Sequence, residues 1–357
     1  MSAWRHATAA DPPERSGYLM ESQYATQSRP NDVLAPRTGR PASQRTFLVT
    51  GSTGFLGRAL IARLLSEGHT IRTAGRPVDA ANASASASIR LDASVEEWRD
   101  AIDGCSGIFH FAWSTVPGTA NADPLGDLDT NMMGTVRLLE ALRSSPQVPV
   151  VFASSGGTVY GAAETLPIAE HHPLRPLTAY GASKVAAEQY MLLYRRTWGV
   201  DARIVRLSNP FGPGQNTNGQ LGAASIFAAR ALNNQPIEIW GDGSAIRDYI
   251  YIDDAIAGFL AAMQAPRSRF GVIEPIINIG AGRGISLREI VSFLSHILER
   301  PANVSFTPGR GFDVPASVLD ITRARSILGW SPTVSFEEGM SRYITYLKEL
   351  PGIRGEW

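Results

Sequence analysis

Tyr180 and Lys184 stand four residues apart in AYGASKVAAEQYMLLYRRTWG, a stretch with helical periodicity. That spacing puts both side chains on one face, one turn apart. A free tyrosine has a pKa of about 10 and is a poor base at neutral pH. An ammonium one turn away favours the phenolate, and a phenolate can take a proton from a hydroxyl. A second pattern lies near the start: TGSTGFLG, Thr50 to Gly57, places Gly51, Gly54 and Gly57 between the apolar run Phe47-Leu48-Val49 and the helical stretch FLGRALIARLLSEG. Glycines between a strand and a helix let backbone N–H groups approach a pyrophosphate, and the helix N-terminus adds partial positive charge. The spacing is G-x-x-G-x-x-G rather than the more familiar G-x-G-x-x-G.

The elements that must hold these residues alternate. FLVT, TIRTA, SIRL, GIFHFA, VPVVFAS and ARIVRLS are strand candidates, and FLGRALIARLLSEG, VEEWRDAID, LGDLDTNMMGTVRLLEALRSS and AYGASKVAAEQYMLLYRRTWG are the helices between them. In the first helix Leu56, Leu60, Ile61, Leu64 and Leu65 share a face, and Gly68 ends it. Alternation of this kind implies an α/β fold, a doubly wound parallel sheet covered on both faces, with its ligand at the carboxyl ends of the strands. After about Asn209 the pattern loosens into NPFGPGQNTNG and mixed short elements, expected to form a smaller α+β region over the binding edge. The expected organisation is an extension over 1–44, rich in Pro, Ser, Thr, Ala and Arg, that is either disordered or the product of a start codon placed too early; a dinucleotide-binding domain over 45–208; a substrate-binding region over 209–350, interleaved with the sheet; and a tail, 351–357. AANASASAS, Ala80 to Ser88, is expected to be a flexible surface loop.

The glycine stretch resembles the cofactor loop of the extended short-chain dehydrogenase/reductases, and within them the NAD-dependent epimerase/dehydratase family, whose members act on nucleotide sugars. HFAW (His110 to Trp113) resembles its H-x-A-A, NMMGT (Asn131 to Thr135) its N-x-x-G-T, and YGASK (Tyr180 to Lys184) its Y-x-x-x-K. RLSNPFGPGQ, WGDGSAIRDYIYIDDA, NIGAGRGIS and LGWSP match further family segments, so the likeness runs from about Phe47 to Leu350. The resemblance implies a Rossmann-type fold and a bound NAD or NADP, held by Gly51, Thr53, Gly54, Phe55, Leu56, Gly57, Asp92, Ala112, Tyr180 and Lys184. Tyr180 would be the base, with Lys184 on the nicotinamide ribose. Asn209, Arg247 and Arg310 would bind the nucleotide diphosphate, guanidinium being suited to phosphate by its planar fork. It also implies a homodimer built from helices over Leu125–Arg143 and Ala179–Trp198.

Two departures shape the expectation. The family's catalytic Ser or Thr falls on Gly156 in SSGGTVYG, so either Ser155 or Thr158 supplies the hydroxyl. The second strand ends in Gly75-Arg76 rather than an acidic residue; Arg76 is suited to a 2′-phosphate, which keeps NADP open beside NAD. Positions 157 and 158 are Gly and Thr where dehydratases carry an Asp-Glu pair, which argues against 4,6-dehydration. The leading expectation is a nucleotide-sugar epimerase working at C4 through a transient ketone. A keto-sugar reductase or dehydratase is the alternative, and a non-catalytic NAD(P) sensor the reading from another class. Trp240 and Trp330 are expected in the core.

The bulk numbers exclude other classes. The 357 residues carry 33 basic and 33 acidic side chains, so bulk charge offers nothing to nucleic acid. The lone Cys105 fits a reducing cytoplasm, and with six scattered histidines it leaves no metal site to expect. No apolar run is long enough to cross a bilayer.

Overall fold

The computed structural model describes residues 44–75, 85–217, 222–271, 274–309, 311 and 313–350. The expectations for residues 1–43, for the tail 351–357, for Arg76 and for Arg310 lie outside the described residues. In the first half β1 (Thr46–Thr50), α1 (Phe55–Ser66), β2 (Thr70–Ala74), β3 (Ala85–Ile89), α2 (Val95–Ile102) and β4 (Gly107–His110) follow one another. Then come α3 (Pro117–Ala122), α4 (Pro124–Asp127), a π-type turn over Leu128–Met132, α5 (Met133–Leu142), β5 (Val150–Ser155), α6 (Ala179–Trp198) and β6 (Ala202–Leu207). The remainder is β7 (Asn209–Phe211), α7 (Ala223–Leu232), β8 (Ile237–Trp240), β9 (Ile246–Tyr251), α8 (Ile252–Gln264), β10 (Ile276–Ile279), β11 (Gly284–Ser286), α9 (Leu287–Ile297), β12 (Val304–Thr307), β13 (Ala316–Ser317) and α10 (Phe336–Glu349).

Seven strands form one parallel sheet in the order β3-β2-β1-β4-β5-β6-β10. The order reverses between β1 and β4, and a crevice opens there outside the carboxyl ends of the strands. The last strand comes from beyond residue 209, so the chain crosses back to the sheet after its excursion. Leu60 and Leu64 of α1 pack with Phe259 of α8 on one face; Trp98 of α2, Leu138 of α5 and Ala187 of α6 cover the other. Gly68 closes α1 with φ +81°, its N–H donating to Leu65, as a helix-ending glycine does. The later strands form two smaller groups: β9, flanked by β11, β13 and β7, and the parallel pair β8–β12.

Three details differ from the sequence reading. Residues 85–88 of the Ala-Ser run are not loop but the edge strand β3, paired with β2; a ladder is built from backbone groups, which composition does not advertise. The helix of Leu125–Arg143 is interrupted by the π-type turn. Trp330 is core at 6% exposure, but Trp240 is 38% exposed.

Candidate active site

The glycine cradle is built by contact. Gly51 has φ +68°, and a Cβ on it would lie 2.7 Å from the Ala112 nitrogen; one on Gly57 would overlap the Gly51 carbonyl and lie 2.9 Å from the Ser52 Cα. A side chain at Gly51 would fill the space between the β1–α1 turn and the chain leaving β4, and one at Gly57 the space between α1 and the turn itself. The N-cap of α1 is Gly54, which has no side chain to cap the helix, and no acidic residue stands in the first turn. The N-terminal amides and the positive end of the dipole therefore face the crevice uncompensated, which fits a dinucleotide pyrophosphate. Arg58 pins this loop from the far side, donating to Thr53 O at 2.6 Å and Gly214 O at 2.5 Å.

Beneath the cradle, a chain of hydrogen bonds fixes β1, β4 and α5. The Ala112 N–H donates to Thr50 Oγ1, which pairs with His110 Nδ1 at 2.8 Å; His110 Nε2 pairs with Thr135 Oγ1 at 2.9 Å, and Thr135 donates to Asn131 O. Because Thr135 spends its proton on Asn131, His110 must donate from Nε2 and accept at Nδ1. Burial, then the charge of Lys184, holds His110 down to about 3, so it is a neutral structural link.

Tyr180, Lys184 and Glu188 form one stripe along α6 at i, i+4 and i+8. Glu188, fully buried, accepts from Arg206 Nη2 at 2.6 Å and Nε at 3.0 Å, and from Ser154 Oγ at 2.5 Å. Arg206 also donates to Tyr160 Oη, which donates to Asn278 Oδ1. This network ties α6 to β5, β6 and β10 and fixes the height of the two residues above it. Thr178 caps α6 through the Gly181 N–H, and Asn121 of α3 accepts from the Ala179 N–H.

Lys184 is buried and donates to Ala153 O at 2.7 Å, with its ammonium 3.7 Å from the centre of the Trp113 ring, 4.7 Å from Phe152 and 5.7 Å from Tyr180. Trp113, at the place where the resemblance has alanine, thus supplies a cation–π floor and meets Tyr180 edge-on at 6.4 Å. Burial lowers the Lys184 pKa well below its ordinary value, against the carboxylates of Glu188 and Asp127. The Tyr180 phenol is raised, by burial first and by the charge of Asp127 second. The expected lowering by Lys184 is therefore absent in this arrangement. Desolvation outweighs an ammonium that is aimed at Ala153, and Tyr180 rests as a phenol.

Packing surrounds the place of the missing hydroxyl. A Cβ on Gly156 would lie 2.6 Å from Leu319 Cδ1, so a leucine occupies the space a catalytic Ser or Thr side chain would enter. The turn after β5 uses the Ser155 carbonyl, which accepts from the Thr158 and Val159 N–H groups. Thr158 Oγ1 is buried with no partner among the described residues, and the Thr158 carbonyl packs on Gly181, beside Tyr180. Asn209 comes to the same loop, its Oδ1 3.8 Å from where a Gly157 Cβ would stand, while its Nδ2 donates to Asp248 O.

The other expected residues spread out. Arg247, half-buried on β9, donates to Ile246 O. Asp92 is exposed in a bidentate pair with Arg90, at 2.8 and 2.7 Å, and the cap of α2 is Ser94. Gly75, with φ +141°, ends β2 next to the cradle, its Cβ position 3.9 Å from Gly51 N, and brings no carboxylate there. Sequence reasoning missed Trp113, Asp127 and Glu188. Only Glu188 carried a usable signal, as the third member of the Tyr-Lys stripe.

Comparison with known proteins identifies the fold and the family. The chain is 33% identical over 318 residues to the UDP-glucose 4-epimerase of Mycolicibacterium smegmatis, covering 84% of this chain and 98% of that protein. It superposes on the crystal structure of Thermotoga maritima UDP-glucose 4-epimerase with UDP-glucose, at TM-score 0.77 and 29% identity over 85% of this chain and 99% of that one. The Thermus thermophilus UDP-glucose 4-epimerase in complex with NAD gives TM-score 0.75 at 28% identity, over 85% and 99%. The cradle of Gly51 and Gly57 fits the nicotinamide dinucleotide on which this family depends. With the family's model matched over residues 47–280, the chain belongs to the NAD dependent epimerase/dehydratase family.

Proposed function

We propose that the protein is a nucleotide-sugar epimerase that inverts C4 of a hexose through a transient ketone. The observation that carries this reading is the Tyr180–Lys184 pair on α6, linked to the glycine cradle by consecutive residues: Ala112 bounds Gly51, and the ring of Trp113 lies under Lys184. Bound at the Gly51–Gly57 cradle, NAD would supply reversible hydride transfer with the sugar carbon. Tyr180 takes the hydroxyl proton and gives it back, Lys184 holds the ribose, and Thr158 Oγ1 donates to the reacting oxygen. Asn209, which reaches this loop, is assigned to the diphosphate together with Arg247 and Arg310, and Asp92 to the adenine end. Because positions 157 and 158 hold Gly and Thr, this loop carries no carboxylic acid to protonate a leaving hydroxyl, which disfavours the 4,6-dehydratase alternative.

The working form is proposed to be a homodimer in a reducing cytoplasm. Leu125, 76% exposed, with Leu128, Met133, Tyr190 and Leu193, leaves apolar side chains on the two helical segments, α4–α5 and α6, that relatives use to pair. A second copy presenting the same segments would bury them.

The test is to denature the purified protein, identify the nicotinamide nucleotide released, and incubate the native enzyme with UDP-glucose and with UDP-galactose. Captive NAD and interconversion of the two sugars support the reading. An empty protein that oxidises NADPH with a 4-keto sugar nucleotide replaces it with the reductase, and turnover unaffected by Tyr180→Phe removes Tyr180 from the chemistry.

A further inference from the structure

Two buried charges beside Tyr180 lack the partners that burial normally demands. Asp127 is 1% exposed. Its Oδ1 accepts hydrogen bonds from Thr115 Oγ1 and, at 2.9 Å, from Asn131 Nδ2, whereas Oδ2 is equally buried and receives none from any described residue. Lys184, buried as well, donates a single hydrogen bond among the described residues, to Ala153 O. A buried ion without an opposite charge is costly. Glu188 influences Lys184, but both of its oxygens are engaged by Arg206. Asp127 is the carboxylate left to balance the ammonium.

The surroundings offer it no other assignment. The helix that carries Asp127, α4, packs against α3 and α6. α3 has no ionisable side chain. Asp123 and Asp129, on the same segment, are exposed. On α6 the facing groups are Tyr180 and Lys184, and both feel the charge of Asp127. His110 on β4 is neutral and bonded at both nitrogens.

We infer that Asp127 is a positioning residue of the hydride-transfer site: its carboxylate is the counter-charge to Lys184 and to the cationic, oxidised form of the nicotinamide ring. This rests on the Tyr180-based reading above. The carboxylate favours the ammonium of Lys184 and the phenol of Tyr180, so it sets the pH at which the pair works. It also favours NAD⁺ over the neutral ring of NADH. Asn131 and Thr115 hold the carboxylate in place, which gives the family's N-x-x-G-T asparagine a further task in this chain.

The experiment compares the whole protein with Asp127→Asn in two readouts. In competition binding, Asp127→Asn weakens NAD⁺ about tenfold, the equivalent of one pH unit of charge interaction, and NADH less than about twofold. In the pH profile of UDP-glucose turnover, both limbs move to lower pH by about one unit, because Tyr180 ionises and Lys184 deprotonates more readily without the negative charge. Should Asp127→Asn not fold, Asp127→Ser is smaller, keeps an acceptor for Asn131 and removes the same charge. Equal weakening of NAD⁺ and NADH, or both limbs unmoved, overturns the inference. Tyr180→Phe separates the two failures. If it stays active, the underlying reading is wrong; if it is dead while Asp127→Asn keeps the wild-type NAD⁺ to NADH ratio, only the assignment of Asp127 is wrong.

Discussion

Replacing Thr158 by valine should make the protein more stable and much less active. The threonine hydroxyl is buried and has no partner among the described residues. A buried unsatisfied hydroxyl costs about 1–3 kcal/mol. Valine keeps the branched Cβ and its rotamer while removing the oxygen, so a gain of about 1 kcal/mol is expected after some loss to imperfect packing. If the hydroxyl instead serves the transition state, donating to the sugar oxygen as charge develops, its loss should lower kcat about 100-fold, or about 2.7 kcal/mol in the barrier. Urea melts and turnover of UDP-glucose measure the two effects on one preparation. Ser155→Ala is the paired control: its residue is half-buried and the turn relies on its backbone carbonyl, so both quantities should change little. A Thr158→Val protein that loses more than about 1 kcal/mol would mean the hydroxyl has a partner in the fold. A Ser155→Ala protein that takes the 100-fold loss would transfer the role to Ser155 and refute the reasoning from the unpartnered oxygen.

Other expectations follow from the same contacts. Gly57→Ala forces a methyl onto the Gly51 carbonyl and Ser52 Cα; cofactor affinity, read by NADH fluorescence, should fall at least about tenfold, with about 1–3 kcal/mol of stability lost to overpacking. Glu188→Gln leaves Arg206 buried without its charge partner and should cost about 3–5 kcal/mol in urea melts. Acid should act on two groups in opposite directions. His110 is held down to about 3, so it contributes stability above about 6.5 that is lost as pH falls from there through 3, at about 1.4 kcal/mol per unit. Asp248 is held up to about 6 by burial, so it contributes stability below about 3.8 that is lost as pH rises through 6. The two slopes cancel between about pH 6 and 4, and His110→Gln should tilt the stability curve upward toward acid over that range; an unchanged slope would mean that His110 is not the group being protonated.

What was legible in the sequence was what is local. The glycine turn, the Gly68 helix stop and the Tyr180–Lys184 spacing depend on residues within a turn or two of one another, and the structure puts them on the expected elements. The strand alternation was legible for the same reason. Contacts made across the chain were not. Nothing in HFAW says that the Trp113 ring lies under the Lys184 ammonium, because that contact spans seventy residues of sheet and helix. Asp127 looked like any polar residue in a helical stretch; its burial follows from α4 packing on α6. The small residues of β3 gave no hydrophobic signal because an edge strand can be held by backbone pairing alone. The burial that raises the Tyr180 phenol was not legible either, because it follows from packing across the chain.

The arrangement of buried charge explains why the two halves of the chain can be built so differently and still hold one site. On the sheet side, Glu188 and Arg206 lock α6 to β6, so the height of Tyr180 is set by an ion pair two turns away from the reacting atoms. On the substrate side, the fully buried Asp248 does the corresponding work: its carboxylate accepts the N–H groups of Ala281, Gly282 and Leu319 at 2.7, 3.1 and 3.2 Å, and its own carbonyl accepts from Asn209. Leu319, held by that carboxylate, is the side chain that fills the space beside Gly156. The loop after β5 is therefore held from both sides by buried carboxylates, Glu188 through Ser154 and Asp248 through Leu319. A glycine at 156 suits that packing, and Thr158, two residues along, is the hydroxyl we propose for the reacting oxygen. On this argument Gly156→Ser should not restore a more usual site. The new side chain would have to displace Leu319 and strain the backbone knot around Asp248, so it should lower stability and leave turnover dependent on Thr158; a Gly156→Ser, Thr158→Val double variant with wild-type turnover would show that the packing argument is wrong.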